Sequence, residues 1–205
     1  IALVGQGQGQ ALPPAADLVA RFVAAVGGEA ARRAISSIHV RGTFEMAAQG
    51  VSGSMEVFSA RPGKMLQRVQ IAQMGLVEAG FDGKVGWELS PLTGPGLVTG
   101  RRLTEMADDS WFDEKLHAPD HVKSLTTVAK TEFDNRPAYQ VKLVYTSGTE
   151  LVEYFDVETG LVIGSESTRD SPMGVLPATS ILRDYRKFGS LSEATTWEMI
   201  VSAFP

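Results

Sequence analysis

Residues 38–46, Ile38-His39-Val40-Arg41-Gly42-Thr43-Phe44-Glu45-Met46, alternate apolar and polar side chains over almost their whole length. A period of two means a strand with one dry and one wet face. Working outward from it, the same pattern recurs at short intervals. Val51 to Ala60 ends at Arg61-Pro62-Gly63, Met65 to Met74 ends at Gly75, and Leu76 to Phe81 runs into Asp82-Gly83 before Val85 to Leu89. Asp-Gly between two such runs is a hairpin signal, because both residues tolerate the positive φ that a tight turn demands. These five strands form a meander.

Upstream the period is helical. Leu18, Phe22 and Val26 fall at i, i+4 and i+8 behind Pro13-Pro14, and Gly27-Gly28 supplies the stop; a second helical scrap covers Glu29 to Ala34. Downstream, Pro91 to Gly100 reads as a turn-rich link. Arg101 to Leu116 reads as a helix, with Leu103, Met106, Ala107, Ser110 and Trp111 as its stripe. Six further strands follow: Val122 to Phe133, Ala138 to Thr146, Leu151 to Val157, Leu161 to Thr168, Thr179 to Phe188 and Thr195 to Val201. The expectation is a mainly β fold with helices, about eleven antiparallel strands in an unclosed half-barrel covered by two or three helices. Tyr139, Val141, Leu143 and Tyr145 beside Val144, and Trp197 and Met199 beside Ile200 and Val201, make strands apolar on both faces, as a curled and helix-covered sheet requires.

The chain has 205 residues, enough for one sizeable core, and shows neither repeat nor linker. Residues 1–14 read as an arm and 15–205 as one domain. With 19 basic against 24 acidic residues the charge is −5, without the basic footprint that nucleic acid needs. No apolar run reaches the roughly 18 residues of a membrane span. The absence of cysteine removes disulfides, thiolate nucleophiles and iron–sulfur ligation. Ile1, Ala2, Leu3 and Val4 followed by Gly/Gln repeats and Ala11 resemble the end of a secretory signal with its small-x-small cleavage site, which points to export.

The order of elements and several stretches resemble the LolA-like and LolB-like lipoprotein-carrier family. Phe81-Asp82-Gly83-Lys84-Val85-Gly86-Trp87 is similar to its DGK-x-G-W hairpin, and Arg102-Leu103-Thr104-Glu105-Met106-Ala107 through Phe112-Asp113 and Leu116 to its mid-chain helix. Arg136-Pro137-Ala138-Tyr139-Gln140-Val141-Lys142-Leu143, Glu153 to Leu161 and Asp184-Tyr185-Arg186 carry the densest match. The resemblance implies a periplasmic half-barrel whose concave face holds a lipid or lipoprotein acyl chain without a catalyst or cofactor. Trp87, Met106, Trp111 and Phe112 are the expected pocket lining. The alternative is an accessory subunit docked on the periplasmic face of a membrane complex, such as a photosynthetic or respiratory assembly, held by an arm whose apolar tip is Ile1 to Val4.

Sharper chemistry is thin. Glu114-x-x-His117 has half the spacing of a di-iron site, but no second pair exists, and Pro119 breaks the register between His117 and His121. Within the cluster Asp108, Asp109, Asp113, Glu114, His117, Asp120 and His121, the acidic residues therefore read as a solvated helix face near a loop. No Gly-x-Ser-x-Gly elbow or phosphate loop is present, so an enzyme is not expected. A pocket crowded with converging ionisable groups would contradict the carrier reading.

Overall fold

The computed structural model describes residues 11–171 and 174–201. Helix α1 (Ala15–Ala25) starts behind Pro14 and buries Leu18, Val19 and Phe22. It ends where Gly27 (φ 117°) and Gly28 (φ 89°) enter the left-handed region that glycine alone adopts freely. A Cβ on Gly27 would lie 2.2 Å from the Ser190 carbonyl oxygen, so this glycine also permits a close backbone approach. A short helix, α2 (Glu29–Arg33), leads into the strands.

The strands form two six-stranded antiparallel meanders. The first sheet holds β1 (Ser37–Met46), β2 (Val51–Ala60), β3 (Lys64–Ile71), β4 (Gly75–Phe81), β5 (Gly86–Ser90) and β6 (Gly94–Val98). The second holds β7 (Val122–Phe133), β8 (Arg136–Tyr145), β9 (Glu150–Asp156), β10 (Val162–Ser171), β11 (Gly174–Phe188) and β12 (Leu191–Val201). The described strands number twelve and not eleven. The additional one, β6, lies in the stretch expected to be a link. Its Gly94-Pro95-Gly96 carries no strand signal, yet Leu97 pairs with Trp87 and Val98 with Gly86. Proline cannot donate to a ladder but is tolerated on an edge strand, and β6 is one.

Helix α3 (Gly100–Asp109) is shorter than the expected helix to Leu116, and a 3-10 turn at Glu114–Leu116 follows it. The segment 100–121 is thus a strap joining the two sheets. The main core belongs to the second sheet. Leu18, Val19, Phe22 and Val26 pack on Val122, Val141, Leu143, Tyr145, Phe155 and Val162, with Phe22 and Phe155 edge to face at 6.0 Å. The opposite face of that sheet buries Ala138, Tyr154 and Ile163 against Phe133. One face of β8 is thus buried, and the other is buried at Ala138 and half-buried at Gln140, Lys142 and Val144. Strand β12 differs. Trp197 is 57% exposed, and Met199, Ile200 and Val201 are each nearly half exposed. Apolarity on both faces of this strand does not bring burial, because no layer of the described residues covers it.

Candidate functional site

Register sorts the first sheet into two faces. Directly opposed residues share a face, so Val40, Val57, Gln67 and Ala79 form one cross-strand row, and Gly42, Met55, Val69 and Val77 the next. Phe44 belongs to the same face and lies against Gly53, where an added Cβ would fall 2.7 Å from its ring. Helix α3 sits at one end of this face: a Cβ on Gly86 would meet the Leu103 and Met106 side chains at 2.9 Å. This is therefore the inner, helix-bearing face. Beyond α3 it is an aliphatic wall left part-exposed, with Val40 51% exposed and Met55, Val57, Val69 and Val77 half-buried.

The outer face differs. His39, Phe58, Leu66, Gly80 and Trp87 make one row across five strands. His39 stacks on Phe58 at 4.1 Å, and the Trp87 indole lies over Gly80, where a Cβ would fall 2.5 Å from the ring. Between these aromatic walls runs an open trough of about 430 Å³ over Leu66, rimmed by Lys64 and Asp82. The adjacent row is closed by ion pairs, Arg41–Glu56 at 2.7 Å and Arg68–Glu78 at 2.8 Å.

The strap is held mainly by polar contacts. Arg169 of β10 donates to Asp109 at 2.7 Å, the Asp170 amide donates to Glu105 at 3.1 Å, and the Ser147 hydroxyl donates to Asp108 at 2.8 Å. Arg61 pairs with Asp113, and Lys115 with Glu193 of β12. At its centre His117 takes a left-handed backbone (φ 51°), unusual for a residue with a Cβ. Its ring is bound at both nitrogens, Nδ1 3.0 Å from the Lys115 carbonyl and Nε2 2.7 Å from the Glu153 carboxylate. A carbonyl and a carboxylate both accept, so both nitrogens donate and the ring is the imidazolium. Burial works against that charge, but Glu153 outweighs it and holds the His117 pKa up at about 8. Desolvation, with Glu153 and Asp109 nearby, lifts Glu114 to about 7. The same carboxylates, added to burial, push the Tyr145 hydroxyl up.

Asp108 is buried, together with Glu105, His117 and His121, so the reading of the acidic residues as a solvated face is corrected at Asp108, whereas Asp109 and Asp120 are exposed. The spacing showed acidic residues near a helix end; what it lacked was the opposing sheet, whose Glu153, Ser147 and Arg169 supply their partners. Among the described residues no three His, Cys, Asp or Glu side chains are grouped to hold a metal ion. The ionisable groups do converge, under the strap on the second sheet, and the residues of the aliphatic wall are not among their partners.

The four residues expected to line one pocket lie in four settings. Trp87 walls the outer trough. Met106 meets the inner face at Gly86. Trp111, beyond the end of α3, stacks on His121 at 4.8 Å, and His121 in turn lies 4.6 Å from Tyr145. The Trp111 Nε1 and His121 Nε2 atoms are both buried without a hydrogen-bond partner among the described residues. Phe112 is 4% exposed, with the Arg61 guanidinium 4.8 Å and that of Arg32 6.0 Å from its ring centre. Of the four, Met106 alone is placed on the inner face of the first sheet, at Gly86. The residues of the aliphatic wall, Val40, Val57 and Val69 among them, were legible as one strand face but not as a surface left uncovered. Ile1, Ala2, Leu3 and Val4 lie outside the described residues. Among the described residues no helix is long and apolar enough to cross a membrane.

No protein-family model and no curated protein matches the chain. Solved structures do. A LolA superfamily protein from Nitrosomonas europaea aligns over 93% of this chain and 87% of its own, with a TM-score of 0.57 and 14% identity. An outer-membrane lipoprotein-sorting protein domain from Vibrio parahaemolyticus aligns over 91% and 85%, with 0.53 and 11%. A DUF1329 family protein from Desulfovibrio piger aligns over 93% and 87%, with 0.54 and 12%. The likeness is one of fold: two unclosed antiparallel meanders with helices on the inner side, in LolA-like order.

Proposed function

We propose that this chain is a non-enzymatic carrier of the LolA-like type, shielding a lipid or lipoprotein acyl chain in the periplasm. The observation that supports it most is the inner face of the first sheet. Val40, Met55, Val57, Val69 and Val77 form an aliphatic wall that α3 covers only at one end. Burying each methylene of an acyl chain there is worth about 0.8 kcal/mol. Roughly a dozen methylenes then contribute about 10 kcal/mol before ordering costs, with no chemistry asked of the protein. The titratable cluster supports the same reading. His117 has both ring nitrogens engaged and no free lone pair for a base, and it serves to hold the strap.

The test is native mass spectrometry and lipid extraction of gently purified protein, followed by displacement of a fluorescent fatty acid. Val57→Asp and Val69→Asp on the inner face are expected to abolish capture, while Ser54→Asp on the outer face of β2 leaves it intact. Equal capture by all three variants would place the ligand elsewhere and overturn the proposal.

A further inference from the structure

One uncharged polar side chain interrupts the aliphatic wall. Gln67 of β3 sits between Val57 and Ala79 in its cross-strand row, and Met65 and Val69 flank it on the same face of its own strand. It is half-buried, and its carboxamide has no hydrogen-bond partner among the described residues. The charge on this face is already matched. Glu88, in the same row on β5, pairs with Arg102 of α3, and the cross-strand rows of the inner face hold no other charged residue. Ser59, diagonal to Gln67 in the β2–β3 register, is polar but neutral.

We infer that Gln67 sets the ligand specificity of the acyl site by donating its side-chain N–H to the carbonyl oxygen of an acyl ester or acyl amide. This role rests on the carrier reading above, and it narrows the ligand to a chain whose carboxyl group is blocked. In the free protein water satisfies the amide. An acyl chain laid over Val57, Val69 and Val77 displaces that water, and a buried amide without a replacement partner is costly, so hydrocarbon alone is a poor match for this position. A free carboxylate or a phosphate is a poorer one, since it would enter an apolar wall with no unpaired cation to meet it. A neutral carbonyl accepts from the carboxamide without bringing a charge, and the carboxamide oxygen is left to accept the N–H of an acyl amide. Helix α3 closes the wall beside Gly86, so the tail runs the other way, over Met55, Val69 and Val77 toward Phe44 and Ile71. Ile71 is four residues on from Gln67, about 13 Å along β3.

Competition against a bound fluorescent fatty acid reads this with four chain-matched probes: n-tridecane, dodecanoate, methyl dodecanoate and N-methyldodecanamide. Dividing each affinity by that of n-tridecane cancels any general change in the wall. In Gln67→Leu the ester and amide ratios are expected to fall roughly two- to tenfold, the worth of one net hydrogen bond, while the ratio for dodecanoate, whose head stays in water, holds within about twofold. Infrared spectroscopy of wild-type protein with methyl dodecanoate isotope-labelled at its carbonyl needs no substitution, and is expected to show the carbonyl stretch at lower frequency than in alkane solvent. Ester and amide ratios unchanged in Gln67→Leu, a dodecanoate ratio that falls as far as theirs, or a bound carbonyl that stretches as in alkane would each overturn the role of Gln67 and leave the carrier reading standing. Failure of the fluorescent fatty acid and all four probes to bind would remove both.

Discussion

Replacing His117 with glutamine removes the only cation among the described residues that faces the buried Glu153 carboxylate at hydrogen-bond distance. The side chains of the pair are 2% and 10% exposed, so solvent screens them little. Stripping one partner from a buried pair typically costs about 3–5 kcal/mol, because the remaining charge stays desolvated. For a chain of this size each kcal/mol lowers Tm by about 2–4 °C, so His117→Gln is expected to melt about 6–20 °C below wild type. The pH dependence supplies the sharper test. The folded-state pKa of His117 is raised from 6.5 to about 8, so the folded protein binds this proton more tightly than the unfolded chain. Its contribution is fully present below about 6.5, is lost as pH rises through about 8, and amounts to ~2 kcal/mol. Glu114, raised from 4.5 to about 7, acts in the same direction over a lower window: its stabilisation is present below 4.5 and fades as pH climbs to 7. Thermal melts of wild type are therefore expected to fall from about pH 6.5 to pH 9, while below that range His121, whose pKa burial lowers, acts in the opposite direction. In His117→Gln the part of that fall between about 7 and 8 disappears, and adding Glu153→Gln recovers part of the lost Tm by removing the stranded charge. A melting curve whose pH slope between about 7 and 8 is identical in wild type and His117→Gln would refute the assignment of the imidazolium to this ring.

Other expectations follow from the same geometry. Phe112→Ala empties a site sealed between Arg32 and Arg61, and is expected to cost about 3–5 kcal/mol in denaturant unfolding, the range for truncating a buried phenylalanine. Gly80→Ala places a methyl about 2.5 Å from the Trp87 indole, so the ring must lift off the strand. The expected result is a loss of about 1–3 kcal/mol with a red shift of tryptophan emission, and an unchanged spectrum would show that Trp87 does not lie on Gly80. Arg169→Met unties Asp109 from β10, and faster amide exchange over α3 than in wild type is the predicted sign.

Much of the fold was legible because strand and helix periods are local properties. The alternation from Ile38 to Met46 and the Asp82-Gly83 turn announced β1 and the β4–β5 hairpin without reference to anything distant. Strand β6 escaped because Gly94-Pro95-Gly96 has turn chemistry; only its neighbour β5 offers the ladder that makes it a strand. The expected pocket residues failed to converge for a related reason. A helical stripe through Trp111 presumed that the helix ran on to Leu116, whereas the chain leaves α3 after Asp109 and turns Trp111 and Phe112 toward His121 and the arginines.

The amino-acid order by itself determined the periods, the turns, the −5 charge and the absence of thiol chemistry, and through the periods and turns a mainly antiparallel β fold with helices. Tertiary structure alone decided which apolar faces are closed. Val141 and Val57 are equally apolar in a strand, but α1 lies over the first and nothing described lies fully over the second. Burial and pairing depend on what a distant segment brings into contact. The same dependence turns Glu153 and His117, 36 residues apart, into a buried ion pair, and it leaves the apolar half of β12 exposed.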